Sequence, residues 1–313
     1  MISDYLPAGA VRQVFGYGHR AERHLQVLIC ARGRRRISSH DWKSTGRGLE
    51  SLEHEGGQSS MPETMAPALR ALLEQIIDYA GAFPPATLPH AVAVANYQTY
   101  RKGPHAWMLR WLVVGSAELA HVPRELDRSL SVLSDTDEPR AAAIEIKRVF
   151  RVNRPAYCEV PIQELDDVQR AGCFAKIRTG GVKPDAIPSV EAVAEFIRAC
   201  AQRRLPFKAT AGLHHPVRSM FPLTYEPGAP RAVMHGFLNV FLAAAFAWHG
   251  RLAIEPVLAE TDSTAFRFDN RAHWRDWSLD AAQVREARTQ FAHAFGSCSF
   301  EEPVHDLQVL RLL

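Results

Sequence analysis

From residue 63 onward, apolar positions recur with two distinct periods. TMAPALRALLEQIIDYAG (64–81) spaces Leu69, Leu72, Leu73 and Ile76 three and four apart, which predicts a helix with one apolar face. FPPATLPHAVAVANYQTYRKG (83–103) leaves a proline turn and predicts a second helix. Runs of strand length then alternate with helical ones: 108–114, 129–135, 141–147 (AAAIEIK), 156–162 (AYCEVPI), 173–178 (CFAKIR) and 206–212 (PFKATAG). Between the last two, SVEAVAEFIRACAQRR (189–204) opens on Ser189 as an N-cap and aligns Val193, Phe196, Ile197 and Cys200. After an apolar helix at 229–249, STAFRFD (263–269) predicts a further strand, and LDAAQVREARTQFAHAF (279–295) a closing helix. IIDYAGAF (76–83) reads as an eighth strand or as the end of the first helix.

Strands that alternate with helices make a parallel sheet covered on its faces. No glycine-rich first turn marks a dinucleotide fold, so the pattern predicts an α/β protein with a single (β/α)8 barrel over residues 61–313. Residues 1–60 lack a sustained apolar period and read as a low-order, basic and polar N-terminal extension, with Met61 and Met65 as alternative starts. Within it, GYGHRA (16–21) matches G-x-G-x-x-A, but the next apolar run starts three residues later and leaves no room for the helix that motif needs.

Charge and cysteine content narrow the classes. The net charge of +3 belongs to residues 1–60, with RGRRR at 32–36, while the body is balanced, which argues against a nucleic-acid groove across the fold. Five scattered cysteines without a C-x-x-C pair point to a reducing cytoplasm. AVMHGFLNVFLAAAFAW (232–248) falls short of a membrane span and reads as a buried helix, with His235 and Asn239 as a hydrogen-bonded core pair. The expected partner is therefore a small molecule, with no nucleic acid or membrane, and homo-oligomerisation is left open. There is no G-x-S-x-G elbow, P-loop or paired zinc motif.

Polar residues late in barrel strands carry the candidate chemistry, because barrel sites form at the C-terminal ends of the strands. Glu145 and Lys147 share one face of their strand, Glu159 lies late in the next, Lys176 and Arg178 share a face, and so do Lys208 and Thr210. A lysine attacks a carbonyl only as the neutral amine, against a free pKa of about 10.4; burial and a neighbouring cation both lower it. A nearby Glu would move the carbinolamine protons. Lys176 paired with Glu159 in a structural ion pair explains the same charges. Gly180 and Gly181 let backbone approach an anion that Arg178 would clamp, or simply turn the chain. Asp78 either faces the barrel or caps the next element. Of His214 and His215, adjacent in extended chain, only one is expected to face the mouth; with Glu159 or Glu145 it could bind a divalent metal.

K-I-R-T-G (176–180) resembles the K-T-S-T-G strand of deoxyribose-phosphate aldolases, and K-A-T-A-G-L (208–213) resembles their following K-A-S-G-G-I at a similar separation. IIDYAGAFPPAT (76–87) is similar to that family's opening. The resemblance implies a (β/α)8 barrel and a class I lyase acting on a small carbonyl compound without a cofactor. It makes Lys176 the Schiff-base residue and Lys208 its tuning partner, with Glu145 the nearest match to the assisting carboxylate. Glu159 is a second candidate for proton transfer, and Arg178, Gly180, Gly181, Thr210 and His214 would bind substrate. A metal-assisted isomerase or hydrolase on His214 and Glu159, and a non-catalytic ligand-binding barrel, are the alternatives.

Overall fold

The computed structural model describes residues 65–133 and 156–313. The extension assigned to 1–60, Met61 as a start, and the 141–147 strand with Glu145 and Lys147 lie outside these residues.

Among the described residues, seven short parallel strands form the main sheet. They are β1 (Ile77–Tyr79), β2 (Leu109–Gly115), β3 (Leu130–Leu133), β4 (Tyr157–Cys158), β5 (Phe174–Arg178), β6 (Phe207–Thr210) and, much later in the chain, β12 (Ala292–Ser297). Before β12 come a hairpin of β7 (Ser219–Pro222) and β8 (Arg231–Met234) and an antiparallel sheet of β9 (Phe266–Phe268), β10 (Arg271–Trp274) and β11 (Trp277–Asp280). The described helices are α1 (Pro67–Leu73), α2 (His90–Tyr100), α3 (Leu165–Arg170), α4 (Val190–Gln202), α5 (Phe237–Trp248), α6 (Glu255–Ala259), α7 (Ala281–Gln290) and α8 (Glu301–Val309).

Strand order in the main sheet is β3-β2-β1-β12-β6-β5-β4. Arg110 on β2 donates to the Tyr157 hydroxyl on β4 at 3.3 Å, although five strand spacings separate them along the sheet. Laid flat, that is about 24 Å at roughly 4.8 Å per strand. Lys208 on β6 likewise reaches Ser131 on β3 at 2.7 Å. The sheet is therefore curled, bringing β2 toward β4 and β3 toward β6, with one face turned inward.

Side-chain parity explains the layers. On β6, Phe207 points outward to Phe196 of α4 and to Phe291, while Lys208 points inward to Ser131. The α4 stripe of Val193, Phe196, Ile197 and Cys200 is buried as its period requires, and Ser189 Oγ accepts the Ala192 N–H at 3.2 Å as the N-cap. All of α5 is buried; Phe237 stacks on Phe295 of β12 at 5.1 Å, joining this helix to the sheet.

Several expectations are corrected. The 64–81 helix stops at Leu73, because Gln75 takes a positive φ and Ile77–Tyr79 leaves as the strand IIDYAGAF allowed. The 263–269 strand shrinks to β9, and its pairing with β10 places it in the small antiparallel sheet rather than the main one. The 279–295 helix ends at Gln290; its last residues form β12, the strand between β1 and β6. The 229–249 helix starts only at Phe237, so His235 and Asn239 are not one turn apart and do not pair. His235 bonds instead to the Pro188 carbonyl at 2.8 Å, and Asn239 donates to the carbonyls of Val257 and Glu260. No described helix is long and apolar enough to cross a membrane.

Candidate functional site

A cleft of about 530 Å³ opens at the C-terminal ends of the curled strands. Lys176, Lys208, Thr210, His214, Cys298 and Glu302 are among its lining residues.

The two lysines are direct register partners on β5 and β6, so both project to the same side. Their surroundings differ. Lys208 is 2% exposed, and its Nζ donates to Asp78 Oδ2 at 3.1 Å and to Ser131 Oγ. It also lies 4.9 Å from the centre of the Tyr157 ring. Burial holds the Lys208 pKa below the ordinary lysine value; Asp78 opposes this, while the Arg110 and Lys176 cations add to it. Lys176 is 14% exposed, and its Nζ sits 3.4 Å from Glu159 Oε2.

Glu159 also accepts from Arg178 Nε at 3.0 Å, so it bridges two cations at the rim. Arg178 is thereby engaged on a carboxylate of the protein itself. The carboxylate inside the curl is Asp78, fully buried, whose Oδ1 finds no hydrogen-bond partner among the described residues. The sequence offered one signal for it, a lone acid flanked by apolar residues in IIDY.

The floor of the cleft depends on two glycines. A Cβ on Gly180 would lie 2.9 Å from the Gly212 Cα, and Gly212 itself has φ +76. The ends of β5 and β6 thus meet backbone to backbone, at a distance no larger residue permits. Ala211 beside them takes φ +58, a left-handed conformation costly for a residue with a side chain. The carbonyl of Ala211 accepts the Thr179 hydroxyl at 2.6 Å, and the Thr210 hydroxyl donates to the Ile177 carbonyl, so Thr210 braces the strands. Gly181 faces Ala186, where a Cβ would come within 2.8 Å.

Beyond β6 the chain bends, and both histidines line the cleft, correcting the expectation that only one would. Each is tied to α8. His214 Nδ1 lies 3.0 Å from Glu302 Oε2, and His215 Nδ1 lies 2.6 Å from Asp306 Oδ2, with its ring stacked on Phe221. On its other side, His214 Nε2 is 4.0 Å from the sulfur of Cys298, the residue that follows β12. Tyr225 closes the group, its hydroxyl 3.4 Å from that sulfur and donating to Glu302 Oε2 at 3.1 Å. Burial pulls the His214 pKa down, but contact with Cys298 and Glu302 prevails and raises it to about 9. Burial pushes the Cys298 thiol up, yet His214, Tyr225 and the Ala86 backbone N–H bring it below the usual thiol value.

The proposed metal pair does not assemble. Glu159 is committed to Lys176 and Arg178, His214 to Glu302 and Cys298, and among the described residues no three His, Cys, Asp or Glu side chains are grouped to hold a metal ion.

No protein-family model matches the chain, and neither a curated protein nor a solved structure matches it. The site itself defines the class that can be stated: an α/β protein whose curled parallel sheet brings two lysines and a Cys–His–Glu group to one cleft, with a buried carboxylate bonded to one of the lysines.

Proposed function

We propose that this protein is a lysine-dependent, aldolase-like lyase on a (β/α)8 barrel, forming a Schiff base between Lys176 and a small carbonyl substrate. The observation that carries this reading is the side-by-side pair of Lys176 and Lys208, one at the cleft and one buried on Asp78 and Ser131. The curl of the sheet and the adjacency of β1 to β12 support the barrel.

In this scheme the Lys176 amine adds its lone pair to the carbonyl carbon, and the carbonyl oxygen takes a proton. Glu159, at 3.4 Å, accepts the proton the nitrogen sheds. Water then leaves and an iminium forms. Loss of the substrate's β-hydroxyl proton lets the Cα–Cβ bond break, its electron pair flowing into the iminium to give an enamine and a released aldehyde. Protonation at Cα and attack by water return the free amine. Lys208 suits the proton steps, since burial eases release of its proton and Asp78 is in contact to receive it.

Borohydride trapping against a panel of small aldehydes and keto acids, with peptide mapping, tests the reading. A reduced adduct on Lys176, absent from Lys176→Ala, is the expected result. Absence of any adduct across the panel, with the protein folded, overturns it.

A further inference from the structure

The lysine scheme leaves a nucleophile unused. Cys298 sits at the end of the central strand β12, 5% exposed, with its side chain lining the cleft. Two segments distant in sequence reach it, and the helix just after it supplies a carboxylate behind them. His214 arrives from the bend after β6, Tyr225 from the loop joining β7 to β8, and Glu302 from the first turn of α8. The order of contacts is that of an activated nucleophile: sulfur to imidazole Nε2, and imidazole Nδ1 to a carboxylate that orients it.

We propose that Cys298, His214 and Glu302 form a second covalent site in the cleft, a thiolate that captures small aldehydes as a hemithioacetal. The reaction needs no oxidant and no leaving group. The sulfur lone pair forms a C–S bond to the aldehyde carbon, the carbonyl π bond breaks onto oxygen, and the His214 imidazolium gives that oxygen its Nε2 proton. The neutral imidazole left behind keeps its Nδ1–H on Glu302 Oε2, so the carboxylate holds the ring in place through the step. Reversal returns the proton to His214 and frees the aldehyde. The site rests on the triad and does not require an imine at Lys176.

The charged and titratable groups near the sulfur set its pH behaviour. They are Tyr79 from β1, Tyr225 and His214 beside it, with His215 and, from α8, Glu301 and Glu302 behind these. His214 is the cation among those that touch the sulfur, and Glu302 and Asp306 sit behind the two histidines rather than against it. The arrangement therefore favours the thiolate–imidazolium pair more than an isolated thiol and imidazole would.

The test is alkylation of the full chain by iodoacetamide, resolved cysteine by cysteine by peptide mapping from pH 6 to 10. Buried Cys200, whose thiol pKa burial raises, is the internal reference. The expected result is modification of Cys298 at pH 6–7 at a rate at least about tenfold above Cys200. His214→Gln should then cut the Cys298 rate by about tenfold at pH 6.5 and move its midpoint toward about 8.5, the ordinary thiol value. Should that variant fail to fold, Glu302→Gln and the difference in ultraviolet thiolate absorbance between wild type and Cys298→Ser report the same ionisation.

Glycolaldehyde then serves as the probe. It should slow Cys298 alkylation reversibly, and should do so equally in Lys176→Ala. Equal rates at Cys298 and Cys200 across the range, or thiolate absorbance rising only near the ordinary thiol pKa, overturn the thiolate. Protection seen in wild type but lost in Lys176→Ala assigns the aldehyde to the lysine and overturns the hemithioacetal. Protection in Lys176→Ala without any borohydride adduct in wild type upholds the thiolate site while the lysine reading falls.

Discussion

The two ends of the curled sheet bury similar kinds of side chain and use them differently. At the N-terminal ends of the strands, Arg110, Arg288 and His293 line a second pocket of about 630 Å³. Arg288 donates to the backbone carbonyls of Leu72, Glu74, Ala292 and His293, holding the end of α1 to the start of β12. His293 is similarly committed, Nδ1 to the Tyr157 hydroxyl and Nε2 to the Thr289 carbonyl. At the C-terminal ends, Lys208, Asp78, His214, Cys298 and Glu302 bond chiefly to one another, and Asp78 keeps one oxygen unpartnered. Charge spent on carbonyls fixes backbone; charge placed against other titratable groups can move protons. Charged side chains are thus tied mainly to backbone at one end and to other titratable groups at the other.

The sharpest break would come from Lys208→Ala. It strands the Asp78 carboxylate without its cation and should cost about 3–5 kcal/mol in urea unfolding. Adding Asp78→Asn should recover much of that loss, whereas strict additivity would show that the pair is not coupled. Arg288→Ala removes the donor from four carbonyls and should cost on the order of 3 kcal/mol. It should leave Cys298 alkylation unchanged, and an altered Cys298 rate would mean that the two ends are not separable.

Acid and base should stress opposite ends. Burial, then the Arg110 and Arg288 cations, hold the His293 pKa near 3. The unfolded chain takes up that proton at about 6.5, so the contribution of His293 is whole above that pH and lost as pH falls toward about 3. The slope should approach about 1.4 kcal/mol per pH unit and be missing in His293→Gln. His214 runs the other way: its pKa is raised to about 9, so its contribution is whole below the unfolded value and lost as pH rises through about 9. Denaturation midpoints of wild type and His214→Gln between pH 6 and 10 should converge toward the alkaline limit. The smallest effect is expected outside both ends, where Ser189→Ala removes the α4 N-cap and should cost about 1 kcal/mol.

Periodic segments were readable from sequence because one face of each is buried. That holds for α4, with its cap and stripe, and for β5 and β6, where alternation placed Lys176 and Lys208 on the same side. β12 was not readable. AHAFGS continues a run of helix-forming residues without a glycine or proline at the boundary, and its strand state depends on β1 and β6 lying on either side of it. Reading that segment as helix hid Cys298 and Glu302 as well, since their meaning depends on where β12 ends. The histidine pair is visible in the sequence, but its partners lie 84 to 91 residues away, and no local pattern encodes that distance.

The strand order also bears on how the chain is assembled during synthesis. β1 to β3 form one group and β4 to β6 another, and among the described residues β12 is the strand that hydrogen-bonds to both. A ribosome delivers that strand after everything else in the sheet, so both groups must wait with a bare edge, Asp78 and Lys208 on opposite sides of the seam. The last strand to emerge is thus the fastener of the fold, and until it arrives the buried ion pair has no sheltered interior in which to form.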